Sequence, residues 1–201
     1  MAIPFDIFPN LPIIPYQEAR KQIRSGDILL CSGSSMLSGL IKFATKSVWS
    51  HVGFVLRVDA IDRIMVMESV EDVGVRTVPL SSYIYSYNGS KKPYPGRILI
   101  ARHGAFKEVY THDISQKGVD LLGHPYNYAQ ILKIAGRLAW LALGFGSKMK
   151  TMQDDGAYIC SEYAYHIFKS VHVPIQHTGE GFVIPGDFAR TEAVNPVCVL
   201  S

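Results

Sequence analysis

Hydrophobic and polar positions fall into short, clearly bounded runs along most of this chain. In "YQEARKQIRSG", Tyr16, Ala19 and Ile23 share one helical face, and Gly26 supplies a stop. "DILLCS" then reads as a buried strand. "MLSGLIKFATKS" returns to helical spacing, with Leu37, Leu40, Ile41 and Ala44 on one side. It leads directly into "SHVGFVL", a strand that opens on His51. "RIMVMESV", "GVRTVPL" and "GRILIARH" follow as further strands, separated by the turn-like "DAID" and the Pro/Gly-rich "KKPYPG". Together they predict one mainly antiparallel sheet. Helices are predicted in "FKEVYTHDISQKGVDLLG", with Gly123 as terminator, and in "YICSEYAYHIFKSV". No repeat, low-complexity tract or linker interrupts the chain, so residues 1–201 read as a single α+β domain.

Composition narrows the functional classes. The chain is 48% hydrophobic, enough for a sizeable core, and its net charge of +3 includes no run of five like charges. A dedicated nucleic-acid face is therefore not expected. Cys31, Cys160 and Cys198 are too few and too scattered for a disulfide framework, and no Cys or His spacing matches a zinc site. Reduced thiols, no metal and no organic cofactor are the expectation. The opening "MAIPFDIFPNLPIIPY" lacks a basic segment followed by a continuous apolar one, and its four prolines oppose a helix. A cytoplasmic location, with room for peripheral membrane contact, follows as the expectation.

The candidate chemistry centres on Cys160. Cys160, Ala164, Ile167, Phe168 and Val171 lie on the inward face of their helix, and Asp154 or Asp155 would cap it, leaving the sulfur in the early turns. There the unpaired N–H groups and the dipole favour a thiolate. A small buried core residue is the competing reading, since free cysteine is often buried. A thiolate nucleophile needs an imidazole and a group that orients it. His51 opens one strand, and Glu68 lies on the next, across a hairpin-length connection that brings the two within side-chain reach. A structural ion pair is the alternative for Glu68, whose lone burial would be costly. Cys31 and Cys198, one ending a strand and the other in a tail, read as structural.

These motifs resemble the NlpC-type cysteine peptidases of the papain-like fold, in their circularly permuted, YiiX-like branch. "SGDILL" resembles the family's glycine-aspartate strand, "SHVGFVL" its histidine strand and "VMESV" the strand of its third residue. "GHPYNY" resembles the tyrosine motif and "YICSEYAY" the nucleophile helix, while "IPGDFAR" is similar to a closing segment. The order His51, Glu68, Cys160 matches the permuted branch rather than the ordinary one. The resemblance implies Cys160 as nucleophile, His51 as base, Glu68 as the orienting residue and Tyr126 as a hydroxyl donor near the oxyanion. It further implies a thiol hydrolase acting on a peptide, a cell-wall-derived peptide or an N-acyl amide. A lipid-directed thiol acyltransferase and a non-catalytic lipid- or peptide-binding module are the alternatives.

An insertion at about 129–150 separates Tyr126 from Cys160. Within it, Gln130, Lys133 and Arg137 share one helical face and nearly everything else is apolar. Its internal cations argue against a membrane span. A core helix, an interfacial helix and a wall of an acyl-binding cleft remain open, the last two placing lipid or membrane-surface contact in residues 129–146.

Overall fold

The computed structural model describes residues 10–129, 131, 136, 156–177 and 182–201. The insertion at about 129–150 lies almost wholly outside these residues, and so does the contact expected of it.

Seven strands form one sheet in the order β1-β7-β6-β2-β3-β4-β5. They are β1 (Ile13–Ile14), β2 (Ile28–Gly33), β3 (His51–Val58), β4 (Arg63–Val70), β5 (Gly74–Pro79), β6 (Gly96–His103) and β7 (Val194–Leu200). Every pairing is antiparallel except β1 with β7. The described helices are α1 (Tyr16–Ala19), α2 (Met36–Thr45), α3 (Leu80–Tyr85), α4 (Thr111–Asp120), α5 (Cys160–Ser170) and α6 (Pro185–Arg190). None of them is long and apolar enough to cross a membrane.

Alternation along the strands sends neighbouring residues to opposite faces of the sheet. Ile28, Leu30, Val52, Phe54, Met67, Leu99 and Ala101 pack with Tyr163, Ala164, Ile167 and Phe168 of α5. Leu29, Cys31, Val55, Val66, Ile98 and Ile100 form a second core with Tyr16, Leu80 and Tyr83. Both faces are therefore covered, which is why these strands read as near-continuous apolar runs. Each large side chain buried this way contributes roughly 1.5–3 kcal/mol before chain entropy is counted.

Three sequence expectations need correction. The first helix is regular only from Tyr16 to Ala19; beyond it Lys21 and Gln22 bond three residues back, to Glu18 and Ala19, and the chain tightens into turns. Tyr16, Ala19 and Ile23 are buried all the same. Cys198 does not sit in a tail but in β7, fully buried. Finally, α5 starts at Cys160 with Ile159 before it, so neither Asp154 nor Asp155 caps it, both lying outside the described residues. The carboxylate serving that end is Glu162, whose Oε2 accepts from the Ile159 N–H at 3.3 Å.

Two quoted motifs have local physical reasons. Gly26 has φ +82°, and a Cβ there would come within 2.2 Å of the Phe106 ring. Asp27 beside it is buried and accepts from Arg102 Nε at 2.6 Å and from the Arg24 N–H at 2.8 Å, tying β2 to β6. In "IPGDFAR", Pro185 begins α6 and Asp187 accepts from the Ile184 N–H at 3.0 Å, a proline-led and carboxylate-served helix start.

Candidate active site

His51 and Glu68 come together as the hairpin predicts. β3 and β4 pair with Phe54 opposite Met67, which sets Glu68 beside Gly53. A Cβ at Gly53 would approach the Glu68 Cβ at 3.4 Å and the Met67 carbonyl oxygen at 3.0 Å, so the missing side chain leaves room for the carboxylate. His51 Nε2 meets Glu68 Oε2 at 2.5 Å. With Nε2 engaged, Nδ1 is the ring nitrogen left for Cys160, which borders the same cleft as His51.

Glu68 is fully buried, and its partners explain how a carboxylate can sit there. Arg76 donates to Oε1 through Nε at 3.0 Å, with its Nη2 at 2.9 Å, and the Tyr83 hydroxyl donates to Oε2. Burial alone would raise the Glu68 pKa. Hydrogen bonding and charge from His51, with Arg76 and Tyr83 behind them, reverse that and hold it below the usual carboxylate range. Arg76 and Tyr83 are functional neighbours that sequence reading missed. Arg76 had a usable signal, because the short turn after β4 places it directly opposite Glu68 on β5. Tyr83 had none, since a tyrosine on a short helix identifies no partner.

His51 keeps only 15% of its side chain exposed. Burial would lower its pKa, but the charge and hydrogen bond of the Cys160 sulfur, together with Glu68, outweigh burial and push it up to about 10. His51 therefore stands between Cys160 and the Glu68 carboxylate. The arrangement also spans the sheet. Cys160 belongs to the core on the α5 side, Tyr83 to the core on the other, and His51 joins them from the first position of β3.

Cys160 is the first residue of α5, so its N–H has no carbonyl one turn earlier to bond. Tyr126 reaches the same place by a relay of backbone and side-chain bonds. The Val75 N–H donates to His124 O at 2.9 Å and the Gly123 N–H to Val75 O at 3.0 Å, strapping this segment to β5. The Tyr158 N–H donates to Pro125 O at 3.1 Å, and the His124 Nδ1–H to Gly156 O at 2.8 Å, joining it to the residues just before Cys160. Tyr126 and Cys160 consequently border the same cavities. Burial, and then the charge of Cys160, push the Tyr126 hydroxyl pKa upward, so it stays protonated and able to donate.

Gly74 makes that strap feasible. It has φ +82°, and a Cβ there would stand 2.1 Å from the His124 carbonyl oxygen. Gly74→Ala is expected to combine a left-handed-backbone cost of about 1–2 kcal/mol with displacement of the 123–128 segment. A lower melting temperature together with a loss of turnover larger than the loss of fold checks this. A variant with unchanged melting and turnover would show that the segment needs no such approach.

No sequence-predicted site residue is left isolated: Cys160, His51, Glu68 and Tyr126 share one locality. Among the described residues, no group of three or more His, Cys, Asp or Glu side chains is placed to hold a metal ion.

Comparison with known proteins identifies the fold and the family. A crystal structure of the metalloprotein yiiX from Escherichia coli O157:H7 superposes with a TM-score of 0.63 at 16% identity, covering 88% of this chain and 97% of that one. At that identity the likeness is one of fold. No curated protein matches the sequence. The family model described as permuted papain-like amidase enzyme, YaeF/YiiX, C92 family, matches residues 22–136, more than half of the chain. That match takes in His51, Glu68 and Tyr126 and stops before Cys160, which the fold returns to His51. With a permuted order of histidine strand before cysteine helix and a family match across the first of these, the chain belongs to the permuted papain-like amidases of the YaeF/YiiX family, a cysteine peptidase-type family.

Proposed function

We propose that this chain hydrolyses an amide bond through a thioester acyl-enzyme on Cys160. The observation that carries the reading is the His51 ring, held by the Glu68 carboxylate at 2.5 Å and bordering the same cleft as the Cys160 sulfur, whose charge raises its pKa. The Cys160 thiolate attacks the amide carbon, and the carbonyl electron pair moves to oxygen. The Cys160 N–H and the Tyr126 hydroxyl donate to that oxyanion. Collapse breaks the C–N bond as the His51 imidazolium gives its proton to the departing nitrogen, leaving a thioester and neutral imidazole. His51 then takes a proton from water as the hydroxide equivalent adds to the thioester, and the acid leaves with the thiolate–imidazolium pair restored. Glu68 touches no reacting atom in these steps; it is a positioning residue that fixes Nε2 and supports the imidazolium.

A thiol acyltransferase shares every step up to the thioester and differs only in what accepts the acyl group. Intact-mass analysis after mixing with N-acyl amides tests the reading. A mass gain equal to the acyl group, mapped to Cys160 and released by water, is the expected result. Iodoacetamide at about pH 6.5 should label Cys160 well before Cys31, whose thiol burial pushes well up, and before Cys198, pushed up to about 11. Equal slow labelling of all three thiols, with no acyl adduct, would sink the hydrolase and leave a binding module.

A further inference from the structure

Two cavities meet at Cys160, and they differ in chemistry. One is narrow and walled by Leu40, Ile41, Ile131, Ile159, Val183 and Ile184. The other is a cleft of about 480 Å³ whose lining includes Ser34, Ser38, Glu71, Asp72 and Tyr94. Cys160 and Tyr126 border both cavities. Of the two, His51 borders only the larger cleft, whose polar groups stand among Ile41, Val70 and Val73, whereas the slot is apolar.

That difference sets the direction of the substrate. In the tetrahedral adduct the former carbonyl carbon carries four groups: sulfur, oxyanion, amide nitrogen and the first carbon of the acyl chain. The nitrogen has to lie within hydrogen-bond reach of His51, because that ring supplies its proton. It therefore belongs in the larger cleft, where the hydrogen-bonding groups are. The oxyanion faces the Cys160 N–H and Tyr126, both shared by the two cavities. The acyl carbon is left with the one direction away from His51, which is the apolar slot. One wall of that slot is fixed rigidly, since the Ser161 hydroxyl donates to Val183 O at 2.6 Å from the second residue of α5.

Resting on the acyl-enzyme reading, we propose that the substrate is an N-acyl amide with an apolar acyl chain, seated in the slot, and a polar hydrogen-bonding amine, seated in the cleft. A peptide with a polar residue on the acyl side is disfavoured by the same walls, because a buried polar group without a partner is costly.

Four amides test the orientation: acetyl and octanoyl groups, each on a hydroxylated amine and on butylamine. The octanoyl amide of the hydroxylated amine should be turned over fastest. Val183→Trp, which fills the slot, should lower the octanoyl-to-acetyl ratio of kcat/KM at least tenfold and leave the preference between amines in place. Asp72→Leu, in the cleft, should do the reverse. Leu40→Gln, on the half-exposed side of α2, takes the place of Val183→Trp if a thermal melt shows that variant unfolded. Equal octanoyl and acetyl rates, or slot variants that alter the choice of amine instead of acyl chain, would overturn the orientation while a Cys160 acyl adduct kept the chemistry. Absence of any adduct from all four amides would remove the acyl-enzyme reading, and this inference with it.

Discussion

Replacing His51 with alanine is expected to lower kcat/KM by about a thousandfold or more, with the melting temperature moving far less than activity. The size of the loss follows from the ring's double duty. It holds the thiolate's counter-charge before attack, and it supplies the proton without which the amine cannot leave. Neither task passes to a neighbour, since Glu68 accepts hydrogen bonds in this site and Arg76 stays charged. The variant should also lose fast iodoacetamide labelling of Cys160 at about pH 6.5, because the sulfur no longer faces an imidazolium. Cys160→Ala should be inactive to the same floor and form no acyl adduct. The two losses should not add in the double variant, because either one removes the same pair. A His51→Ala protein that keeps rapid Cys160 labelling and more than a tenth of its turnover would show that another group moves the proton.

Much of this site was legible in the sequence because its parts sit where periodicity is strong. The helical face of Cys160 and the hairpin carrying His51 and Glu68 are local patterns, and antiparallel pairing turns them into a contact without further information. Strands β2, β3, β4 and β6 were readable for a related reason: buried on both faces, they appear as bounded apolar runs. What escaped was set by long-range pairing. β7 is interrupted by Pro196 and follows a turn-rich stretch, so "VNPVCVL" looks like a tail until β6 supplies its partner. The Tyr126 segment carries no periodicity at all. It is positioned by carbonyls accepting from Val75 and Tyr158, contacts that depend on the chain's return from far along its length. Tyr83 was hidden similarly: Glu68's need for donors is visible in the sequence and the short β4–β5 turn points to Arg76, while the tyrosine is brought in only by packing.

Glu68→Gln is expected to lower activity about ten- to a hundredfold and to shift the alkaline limb of the pH–rate profile downward by at least about one pH unit. Glutamine retains an oxygen for the imidazole but not the charge. His51 is held up at about 10 by the Cys160 sulfur and by Glu68, against burial that pulls it down, so losing the carboxylate gives burial more of the balance. The imidazolium then titrates earlier as pH rises, and the active pair disappears earlier with it. The loss stays smaller than for His51→Ala because both reacting groups remain. Stability should respond with a recognisable pH window. The raised His51 pKa contributes stability that is fully present below the ordinary histidine value, about 6.5, and is lost as pH rises toward about 10. The lowered Glu68 pKa contributes stability present above the ordinary glutamate value, about 4.5, and lost as pH falls through its folded value. The difference in melting temperature between wild type and Glu68→Gln should therefore be widest between about pH 5 and 6.5 and narrow on either side. Arg76 keeps a partner in Asn88 Oδ1 at 3.0 Å and is not stranded by the change, which favours a folded variant. Rates and melts measured across pH separate a positioning role from a purely structural one. A variant that melts lower but keeps its alkaline limb where wild type has it would make Glu68 a structural anchor for Arg76 and Tyr83 and remove it from the support of His51.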